Sequence, residues 1–488
     1  MTSTSTYQLT LHPVFDRLAT VYGDGLVIDA GEEVRVTYAE FAERVRRVCT
    51  VLVDDFGVRP GDRVATWSWN SLRHLELYWA VPLVGAVLHT LNIRLHDEQV
   101  RYIVDHAEDS LILAHADLAS SAPGGAVVLD EVWDKRVSGA EPMRDFPPVP
   151  EDAPAGLCYT SGTTGMPKGV VTTHRQQWIH AMSCGMVDHM GLSEHDRVLP
   201  IVPLFHAFGW GIPYAAPFTG AEIVLHGADS SAENVARILA DHRVTYALAV
   251  PTIWKETLPV LRRGDHDISA LRNVFVGGSA SPRSLIEAYR ELGVNYMQGW
   301  GMTETGPVAT VARPRRGVDD VLDYTGTIHA GLESRVVDGE LQVRGPWIAT
   351  GYYKQEPFDG GWLPTRDMVQ FEPNGLFRIV DRAKDLVKSG GEWISSVELE
   401  GLLLAHPDVR DCAVVGVRSR KWDERPVAVV VPEDGEVSIQ SVRTFLGPKV
   451  AKWWLPDEVV TVAEIPKTSV GKIDKKVIRD QLSHLELP

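Results

Sequence analysis

The chain has 488 residues, of which 44% are hydrophobic and 23% charged, a composition typical of a folded protein too long for a single core. Its formal net charge of −17 argues against a nucleic-acid-binding surface, which would normally be basic. The four cysteines form no CxxC pair, so neither a disulfide framework nor a zinc site is predicted. We expect a cytoplasmic protein, since the first residues also lack the basic and apolar regions of a signal peptide.

Helical and extended patterns alternate from the start of the chain. Residues 37–55 place apolar side chains at helical spacing behind a threonine that can start a helix, and residues 61–67 form a turn leading into a strand. Residues 75–91 are largely apolar but include a glutamate, a proline and a histidine. They are also shorter than the roughly 20 residues that a membrane span needs. This segment is predicted to be a buried helix, and no membrane span is expected.

The alternation continues in the middle of the chain. Strands are predicted at 244–250, 273–276 and 294–298, with a helix from Pro282. Such alternation favours parallel sheets covered by helices. Residues 120–155 are rich in Ala, Gly, Pro and acidic residues and are predicted to connect two subdomains.

The pattern changes near residue 380. The elements predicted beyond it are a helix at 396–405, strands at 411–417 and 426–431, and a basic end at 467–479. They indicate a small α+β unit of about a hundred residues. The predicted fold class is therefore α/β, with a large N-terminal domain of helix-covered sheets at 1–382 and a small C-terminal α+β domain at 383–488.

Residues 159–170, Tyr-Thr-Ser-Gly-Thr-Thr-Gly-Met-Pro-Lys-Gly-Val, are the most informative segment. Its glycines let backbone N–H groups approach an anion, and Lys168 adds a charge suited to phosphate. A Walker A loop needs Ser or Thr after the lysine and then a helix, whereas here Gly169 follows and the next residues favour a strand. The alternative is a flexible surface turn, but the order of the run favours another kind of phosphate loop. The candidate phosphate-binding residues are Thr160, Ser161, Gly162, Thr163, Thr164, Gly165 and Lys168.

This loop resembles the signature loop of the adenylate-forming superfamily, which contains acyl-CoA synthetases, peptide-synthetase adenylation domains and firefly-type luciferases. The other motifs of the superfamily follow in order along essentially the whole chain, and residues 386–396 are closest to medium- and long-chain fatty acyl-CoA synthetases. The resemblance implies the adenylate-forming enzyme fold with a mobile C-terminal domain that carries the catalytic lysine. It also implies ATP, Mg²⁺ and coenzyme A as ligands.

The resemblance assigns roles in the nucleotide site. Trp300 is expected to pack on adenine, where most members have Tyr, while Thr303 contacts the α-phosphate. Glu304 and Thr160 are expected to hold Mg²⁺, although Glu304 taken alone would be a solvated loop carboxylate. The residues expected to border the nucleotide on these segments are Gly278, Ser279, Gly299, Trp300 and Gly301.

Further nucleotide contacts are expected beyond residue 360. Asp367 matches the aspartate that binds the ribose hydroxyls, Arg382 would approach the ribose and phosphates, and Lys384 would be the interdomain hinge. Most members have Thr-Gly-Asp where this chain has Arg366 in the middle. That departure would strain the turn, add a phosphate contact or obstruct the nucleotide.

Catalysis and the acyl pocket are assigned in the same way. Lys472 would bridge the substrate carboxylate and the α-phosphate, although by composition it belongs to a basic surface patch. His206 would lie beside the acyl group, although a lone histidine is more often a satisfied core residue. The predicted catalytic residues are Lys472, His206, Thr303 and Glu304. The predicted pocket walls are Trp210, Trp254, Gly277 and Met302, which favour an apolar acyl group.

The second ligand is expected on the C-terminal domain. Gly390 and Gly391 would lie close to a pantetheine arm, and Lys388 would support thioester formation, although a solvated lysine is the alternative. The resemblance implies an ATP-dependent carboxylic acid:CoA ligase for a fatty or specialised apolar acid. The alternatives are an enzyme that loads an acyl-carrier protein and a degenerate nucleotide-binding regulator. The fatty-acid branch includes homodimers, so a homodimer is allowed.

Overall fold

The computed structural model describes residues 7–160, 166–390, 392–468, 471–485 and 487. The helices are α1 (Leu11–Val21), α2 (Tyr38–Thr50), α3 (Leu72–Leu83), α4 (Asp97–Ala107), α5 (Glu131–Gly139), α6 (His174–Cys184), α7 (Ile212–Thr219), α8 (Ala232–Asp241), α9 (Pro251–Arg262), α10 (Arg283–Glu291), α11 (Ser396–Leu403), α12 (Ile439–Leu446) and α13 (Lys475–Gln481). The strands of the first 382 residues are β1 (Leu26–Asp29), β2 (Val34–Thr37), β3 (Arg63–Trp67), β4 (Val87–Thr90), β5 (Leu111–His115), β6 (Val127–Leu129), β7 (Pro154–Thr160), β8 (Lys168–Thr173), β9 (Arg197–Pro200), β10 (Glu222–Leu225), β11 (Tyr246–Ala249), β12 (Asn273–Val276), β13 (Asn295–Trp300), β14 (Thr310–Val311), β15 (Thr327–Ile328), β16 (Glu333–Val337), β17 (Glu340–Arg344), β18 (Leu363–Phe371) and β19 (Phe377–Arg382). Those that follow are β20 (Val387–Ser389), β21 (Glu392–Ile394), β22 (Val409–Ser419), β23 (Asp423–Pro432) and β24 (Glu458–Thr461).

Two large sheets form the main body. A nine-stranded sheet has the order β15-β14-β13-β12-β11-β9-β10-β1-β2 and is parallel from β13 to β1. A six-stranded sheet has the order β6-β5-β3-β4-β7-β8 and is parallel except for β8. A separate four-stranded antiparallel sheet, β16-β17-β18-β19, follows the main body along the chain.

Helices cover both large sheets, as the alternating pattern predicts. Helices α1, α2, α3, α6 and α7 pack between the two sheets in one continuous apolar core. Helices α8, α9 and α10 cover the other face of the nine-stranded sheet, and α4 covers the other face of the six-stranded sheet. The resulting layers of helix and sheet bury the apolar faces of both elements.

The C-terminal unit is built on a five-stranded sheet, β21-β20-β23-β22 with β24 beside β23. The long strand β22 alternates its buried side chains between two faces: Cys412 and Val414 point toward α11 and α12, and Val415 and Val417 toward α13. The predicted α/β class, with a large body and a small α+β unit, is confirmed.

The prediction that residues 120–155 connect two subdomains is wrong, because β5 before this segment and β7 at its end belong to the same six-stranded sheet. The segment contains β6, which extends the six-stranded sheet, and α5, which packs on α2. The Asp130 carboxylate caps α5 by accepting hydrogen bonds from the backbone N–H groups of Val132 and Trp133, and Trp133 is buried. Because the surrounding residues are rich in Ala, Gly, Pro and acidic residues, this short capped helix was not recognised in the sequence.

Two predicted helices have different ends in the structure. The segment 75–91 is buried, but α3 stops at Leu83, and β4 follows after Gly85, which adopts a φ of +77°. Helix α2 ends at Thr50 and continues as a π-helical turn, Val51–Asp55. Among the described residues, no helix combines the length and apolar character that crossing a membrane requires.

Candidate active site

The candidate site is built from strand ends. Gly278 follows β12, Trp300 ends β13 and Thr160 ends β7. Ligands of α/β sheets usually bind at such carboxyl ends. The single turn Thr303–Thr305 after β13 packs against β7, so the two large sheets meet here. Lys472 reaches the same place from the C-terminal unit, because a Cβ atom on Gly278 would lie 3.2 Å from Lys472 Cε.

Lys472 lies among charged groups from three other segments. Its pKa is lowered to about 8, chiefly by burial and also by the positive charge of Arg382. The carboxylates of Asp367 and Glu304 oppose this change in its pKa, so both lie within electrostatic range of the ammonium group. Burial, with Lys472 contributing, lowers the pKa of His206 to about 3. The structure therefore brings the predicted catalytic residues Lys472, His206 and Glu304 together.

Asp367 is fixed by two partners. Trp300 Nε1 donates to Asp367 Oδ2 at 2.8 Å, and Arg382 Nε forms an ion pair with Oδ1 at 2.8 Å. Burial raises the pKa of the Asp367 carboxyl, while Arg382 and the Trp300 hydrogen bond act to lower it. A carboxylate offers about four lone-pair positions, so it retains acceptors for two ribose hydroxyls.

Glu304 is held by a tyrosine that sequence analysis missed. Tyr352 Oη donates to Glu304 Oε1 at 2.8 Å, and Lys168 Nζ lies 4.7 Å from the centroid of the Tyr352 ring. Burial raises the pKa of Glu304, and the Tyr352 hydrogen bond lowers it. The remaining oxygen of Glu304 and the hydroxyl of Thr160 are the hard donors that Mg²⁺ prefers. Glu304 and Thr160 would therefore be the residues that hold Mg²⁺, which would offset the negative charge of nucleotide phosphates.

The base of the phosphate loop is described, but its tip is not. Thr160 pairs with Lys168 across the antiparallel strands β7 and β8, and Tyr353 N–H donates to the Gly169 carbonyl at 2.8 Å. The strand predicted after Lys168 is present. The predicted phosphate-binding residues Ser161, Gly162, Thr163, Thr164 and Gly165 lie outside the described residues.

The small residues expected near adenine have little space for side chains. A Cβ atom on Gly299 would lie 2.3 Å from Phe275 Cζ, and one on Gly301 would lie 1.6 Å from the Pro307 carbonyl oxygen. These glycines therefore allow close backbone packing beside Trp300. Gly278 and Ser279 are exposed at the end of β12, and Thr303 is buried.

A left-handed turn shapes the expected acyl side. Residues 207–211 all have positive φ angles between +43° and +79°, and three of them, Ala207, Phe208 and Trp210, are not glycine. The Trp210 indole lies against Gly277, where a Cβ atom would be 3.3 Å from its Cη2, and packs edge-on to Phe275 at 5.8 Å. Trp210 and Gly277, both predicted as pocket walls, are thus in contact.

One of the two other predicted pocket walls lies elsewhere. Trp254 is fully buried in the core under α9, with its ring edge-on to Tyr289 at 5.5 Å, so we correct its assignment to a core residue. Its position on the inner face of an amphipathic helix explains the burial. Met302 packs against the apolar cluster around Trp300 and Trp347.

The residues expected near coenzyme A form a hairpin, β20–β21, in the C-terminal unit. Gly390 has a φ of +60°, its N–H donates to the Trp422 carbonyl at 2.8 Å, and a Cβ atom there would lie 2.8 Å from Trp422 Cε3. Trp422 and Trp393 are 42% and 53% exposed, and Lys388 Nζ lies 6.0 Å from the Trp393 ring centroid. The hairpin and the neighbouring Trp422 thus present backbone, aromatic rings and a lysine to solvent. Gly391 lies outside the described residues.

Two remaining positions concern the junction of the units. Lys384 lies in the turn between β19 and β20, and its carbonyl accepts a hydrogen bond from Arg479 Nη2 at 3.2 Å. Arg366 adopts a φ of +61° and its N–H donates to Glu340 Oε1 at 2.7 Å, while its side chain is exposed. The left-handed backbone explains why glycine is usual at this position and supports the interpretation of local strain.

The chain matches known proteins along most of its length. Residues 12–353 match a family model described as AMP-binding enzyme, and residues 398–472 match its AMP-binding enzyme C-terminal domain. A long-chain-fatty-acid–CoA ligase of Thermus thermophilus is 39% identical, with 97% of this chain and 96% of the relative covered. A 3-methylmercaptopropionyl-CoA ligase of Ruegeria pomeroyi is 36% identical, with 97% of each covered. The o-succinylbenzoate-CoA synthetase of Bacillus subtilis, solved with its acyl-adenylate intermediate, has a TM-score of 0.83 and 27% identity, with 96% of this chain and 97% of that chain covered.

Proposed function

Because the chain belongs to the AMP-binding enzyme family, we propose that it is an ATP-dependent carboxylic acid:CoA ligase that acts through an acyl-adenylate. The observation that carries this proposal is the position of Lys472 over Gly278, within electrostatic range of Arg382, Asp367 and Glu304. Three basic groups, Lys472, Arg382 and Lys168, surround the position where the two anionic substrates, the carboxylate and ATP, must meet. Charge stabilisation and positioning supply most of the catalysis in such a phosphoryl transfer.

The first half-reaction joins the acid to AMP. A carboxylate oxygen attacks the α-phosphorus of ATP, the bond to the β-phosphate oxygen breaks, and pyrophosphate leaves. Lys472 holds the carboxylate against the α-phosphate, Arg382 and Lys168 contact the phosphates, and Asp367 binds the ribose. Mg²⁺, held by Glu304 and Thr160, would offset the negative charge of the phosphates. Trp300 and the backbone from Gly299 to Gly301 border the adenine.

The second half-reaction requires the C-terminal unit to move. We place the domain boundary between residues 382 and 383 and the pivot at Lys384, so that Lys472 leaves and the Gly390 hairpin approaches. The thiol sulfur of coenzyme A then attacks the acyl carbon, forming the thioester and releasing AMP. The exposed Trp393, Trp422 and Lys388 beside Gly390 support this role, since they offer rings and a charge to the acceptor.

The acid is apolar, from the fatty or specialised class. The contact of Trp210 with Gly277 and Phe275 supports an apolar acyl site, as do the names of relatives that act on fatty acids and on methylmercaptopropionate. His206 borders this site as a neutral imidazole. The enzyme is placed in a reducing, cytoplasmic setting, in line with its four free, buried cysteines. A homodimer stays a prediction.

Acid-dependent exchange between ATP and pyrophosphate tests the proposal. The purified protein is assayed with short, medium and long fatty acids and with aromatic acids, and each positive acid is repeated with coenzyme A and with a phosphopantetheinylated acyl-carrier protein. We expect exchange with one class of apolar acid, and AMP plus thioester only when coenzyme A is present. If the thioester forms only on the carrier protein, the acceptor in the proposal changes from coenzyme A to an acyl-carrier protein. Failure of the protein to bind ATP would overturn the ligase proposal and favour the alternative of a degenerate nucleotide-binding regulator.

A further inference from the structure

A buried carboxylate joins the C-terminal unit to the four-stranded sheet. Asp381, on β19, is 1% exposed. Its Oδ2 accepts one hydrogen bond from the Ser396 backbone N–H at 2.6 Å and another from Ser396 Oγ at 2.5 Å. Ser396 is fully buried at the start of α11. Two hydrogen bonds to one carboxylate therefore cross the turn that contains Lys384.

The same serine continues the contact to the last helix. Lys475 Nζ donates to Ser396 Oγ at 2.6 Å and forms an ion pair with Glu400 Oε1 at 2.7 Å. That glutamate oxygen also accepts from the Val414 backbone N–H at 2.7 Å. A hydroxyl donates one hydrogen bond and accepts others, so Ser396 can serve Asp381 and Lys475 together. The Lys475 side chain is only 10% exposed, which makes these contacts costly to lose.

Lys475 is close to the catalytic lysine in the chain, and the intervening residues are constrained. Lys475 begins α13, whose first N–H groups are capped by the Asp474 carboxylate. The Asp474 N–H donates to the Pro466 carbonyl at 2.8 Å, and the Thr468 N–H donates to the Lys472 carbonyl at 2.7 Å. The loop that carries Lys472 is therefore tied to the start of α13.

We propose that Asp381, Ser396 and Lys475 are positioning residues that hold the C-terminal unit in the arrangement for adenylation, with Lys472 over Gly278. This inference rests on the proposed function. Asp381 precedes the proposed pivot, whereas Ser396 and Lys475 follow it. The contact between Asp381 and Ser396 therefore crosses the pivot, and a rotation that breaks it makes the network favour the first half-reaction over the second.

The substitution Ser396→Ala tests the network because it removes the shared hydroxyl and keeps the backbone N–H. We expect the maximal rate of acid-dependent ATP–pyrophosphate exchange to fall about tenfold, with KM for ATP changed less than twofold. Thioester formation from supplied acyl-adenylate and coenzyme A should be unchanged or faster. Hydrogen exchange of residues 466–474 should accelerate in the ligand-free protein.

The control is Ser438→Ala, which removes the side-chain cap of α12 within the C-terminal unit. We expect it to lower the unfolding temperature similarly and to leave both half-reactions and the exchange of 466–474 as in the wild type. Equal loss of both half-reactions in Ser396→Ala, or no loss in either, would overturn the inference. If Ser396→Ala does not fold, Asp381→Asn is measured against the same outcomes.

The two proposals fail separately. A wild-type protein that exchanges no pyrophosphate with any acid defeats the proposed ligase function. Hydrogen exchange in Ser396→Ala that equals the Ser438→Ala control defeats the positioning network, whatever the activity.

Discussion

The two carboxylates of the site and its two lysines are held in opposite ways. Asp367 and Glu304 are 1% and 3% exposed, and each is fixed by a neighbouring indole, guanidinium or phenol. The described residues give the ammonium groups of Lys168 and Lys472 neither an ion pair nor a hydrogen bond. One lies over a tyrosine ring and the other over a glycine. The negative groups are thus pre-positioned, and the positive groups are left for anionic substrates.

The largest effect on activity is expected when one of these two lysines is removed. Lys472→Ala should lower adenylation at least a thousandfold, because the carboxylate and the α-phosphate lose the charge that joins them. Thioester formation from supplied acyl-adenylate should persist. Lys476→Ala, at an exposed lysine near the start of α13, is the matched control and should retain both activities in ATP–pyrophosphate exchange and thioester assays. Equal loss of both half-reactions in Lys472→Ala would contradict the assignment.

The charge of that lysine should also appear in a pH profile. A pKa of about 8 means that Lys472 is protonated below pH 8 and loses its charge above it. The value of kcat/KM for ATP should therefore fall toward tenfold per pH unit above about pH 8. His206, with a pKa of about 3, should add no loss between pH 5 and 7. In Lys472→Arg, the remaining activity should lack the alkaline loss, because arginine stays charged; an unchanged profile would assign that loss to another group.

The fixed carboxylate can be loosened instead. Tyr352→Phe removes the hydroxyl that donates to Glu304 and keeps the ring under Lys168, so kcat/KM for ATP should fall about tenfold. The Mg²⁺ concentration for half-maximal exchange should rise. Tyr353→Phe is the control, since Tyr353 holds the Gly169 carbonyl through its backbone N–H, which phenylalanine keeps. Similar losses in both variants would argue against a specific role for the Tyr352 hydroxyl.

The smallest effect concerns the turn before Asp367. Arg366→Gly should raise the free energy of unfolding by about 0.5–1 kcal/mol, since the left-handed backbone no longer carries a side chain. Thermal unfolding should shift upward by about 1–3 °C. Asp338→Gly, at a φ of +51° in an exposed hairpin turn, should stabilise similarly.

The same variant shows whether the Arg366 side chain contacts a phosphate or obstructs the nucleotide. A higher KM for ATP in Arg366→Gly, with no change in Asp338→Gly, would indicate a phosphate contact. A lower KM would indicate that the arginine obstructs the nucleotide. A loss of stability in Arg366→Gly would contradict the interpretation that the backbone at Arg366 is strained.

The proposed catalytic and nucleotide-binding residues could be predicted where motifs are continuous in sequence. Lys472, Glu304 and Asp367 each lie in a run whose order predicts a role, and the structure places all three together. Tyr352 belongs to no such run, and its contact with Glu304 exists only after β13 and a distant loop are brought together. The Gly-Tyr-Tyr sequence before Lys354 is a weak signal at best.

The fold could be predicted where the hydrophobic periodicity is strong, and the prediction failed where that periodicity is weak. Alternating strands and helices set the two large sheets, because their periodicity reflects burial. Helix α5 is short and lies among polar residues, so its Asp130 cap was not recognised. Trp254 was misassigned because a tryptophan on the buried face of a helix has the same local pattern as a pocket wall.

The left-handed turn at 207–211 limits how the proposed acyl site can be redesigned. A β-branched residue is strongly disfavoured at φ near +50°, so Val, Ile and Thr are poor choices at Phe208 or Trp210, whatever volume they offer. Phe208 also leaves no room for a side chain on Gly156, where a Cβ atom would lie 2.6 Å from Phe208 Cε1. A library aimed at new acids would therefore retain this turn and vary the residues that face the Trp210 ring, such as Phe275. The backbone of this turn therefore makes some pocket shapes much easier to obtain by mutation than others.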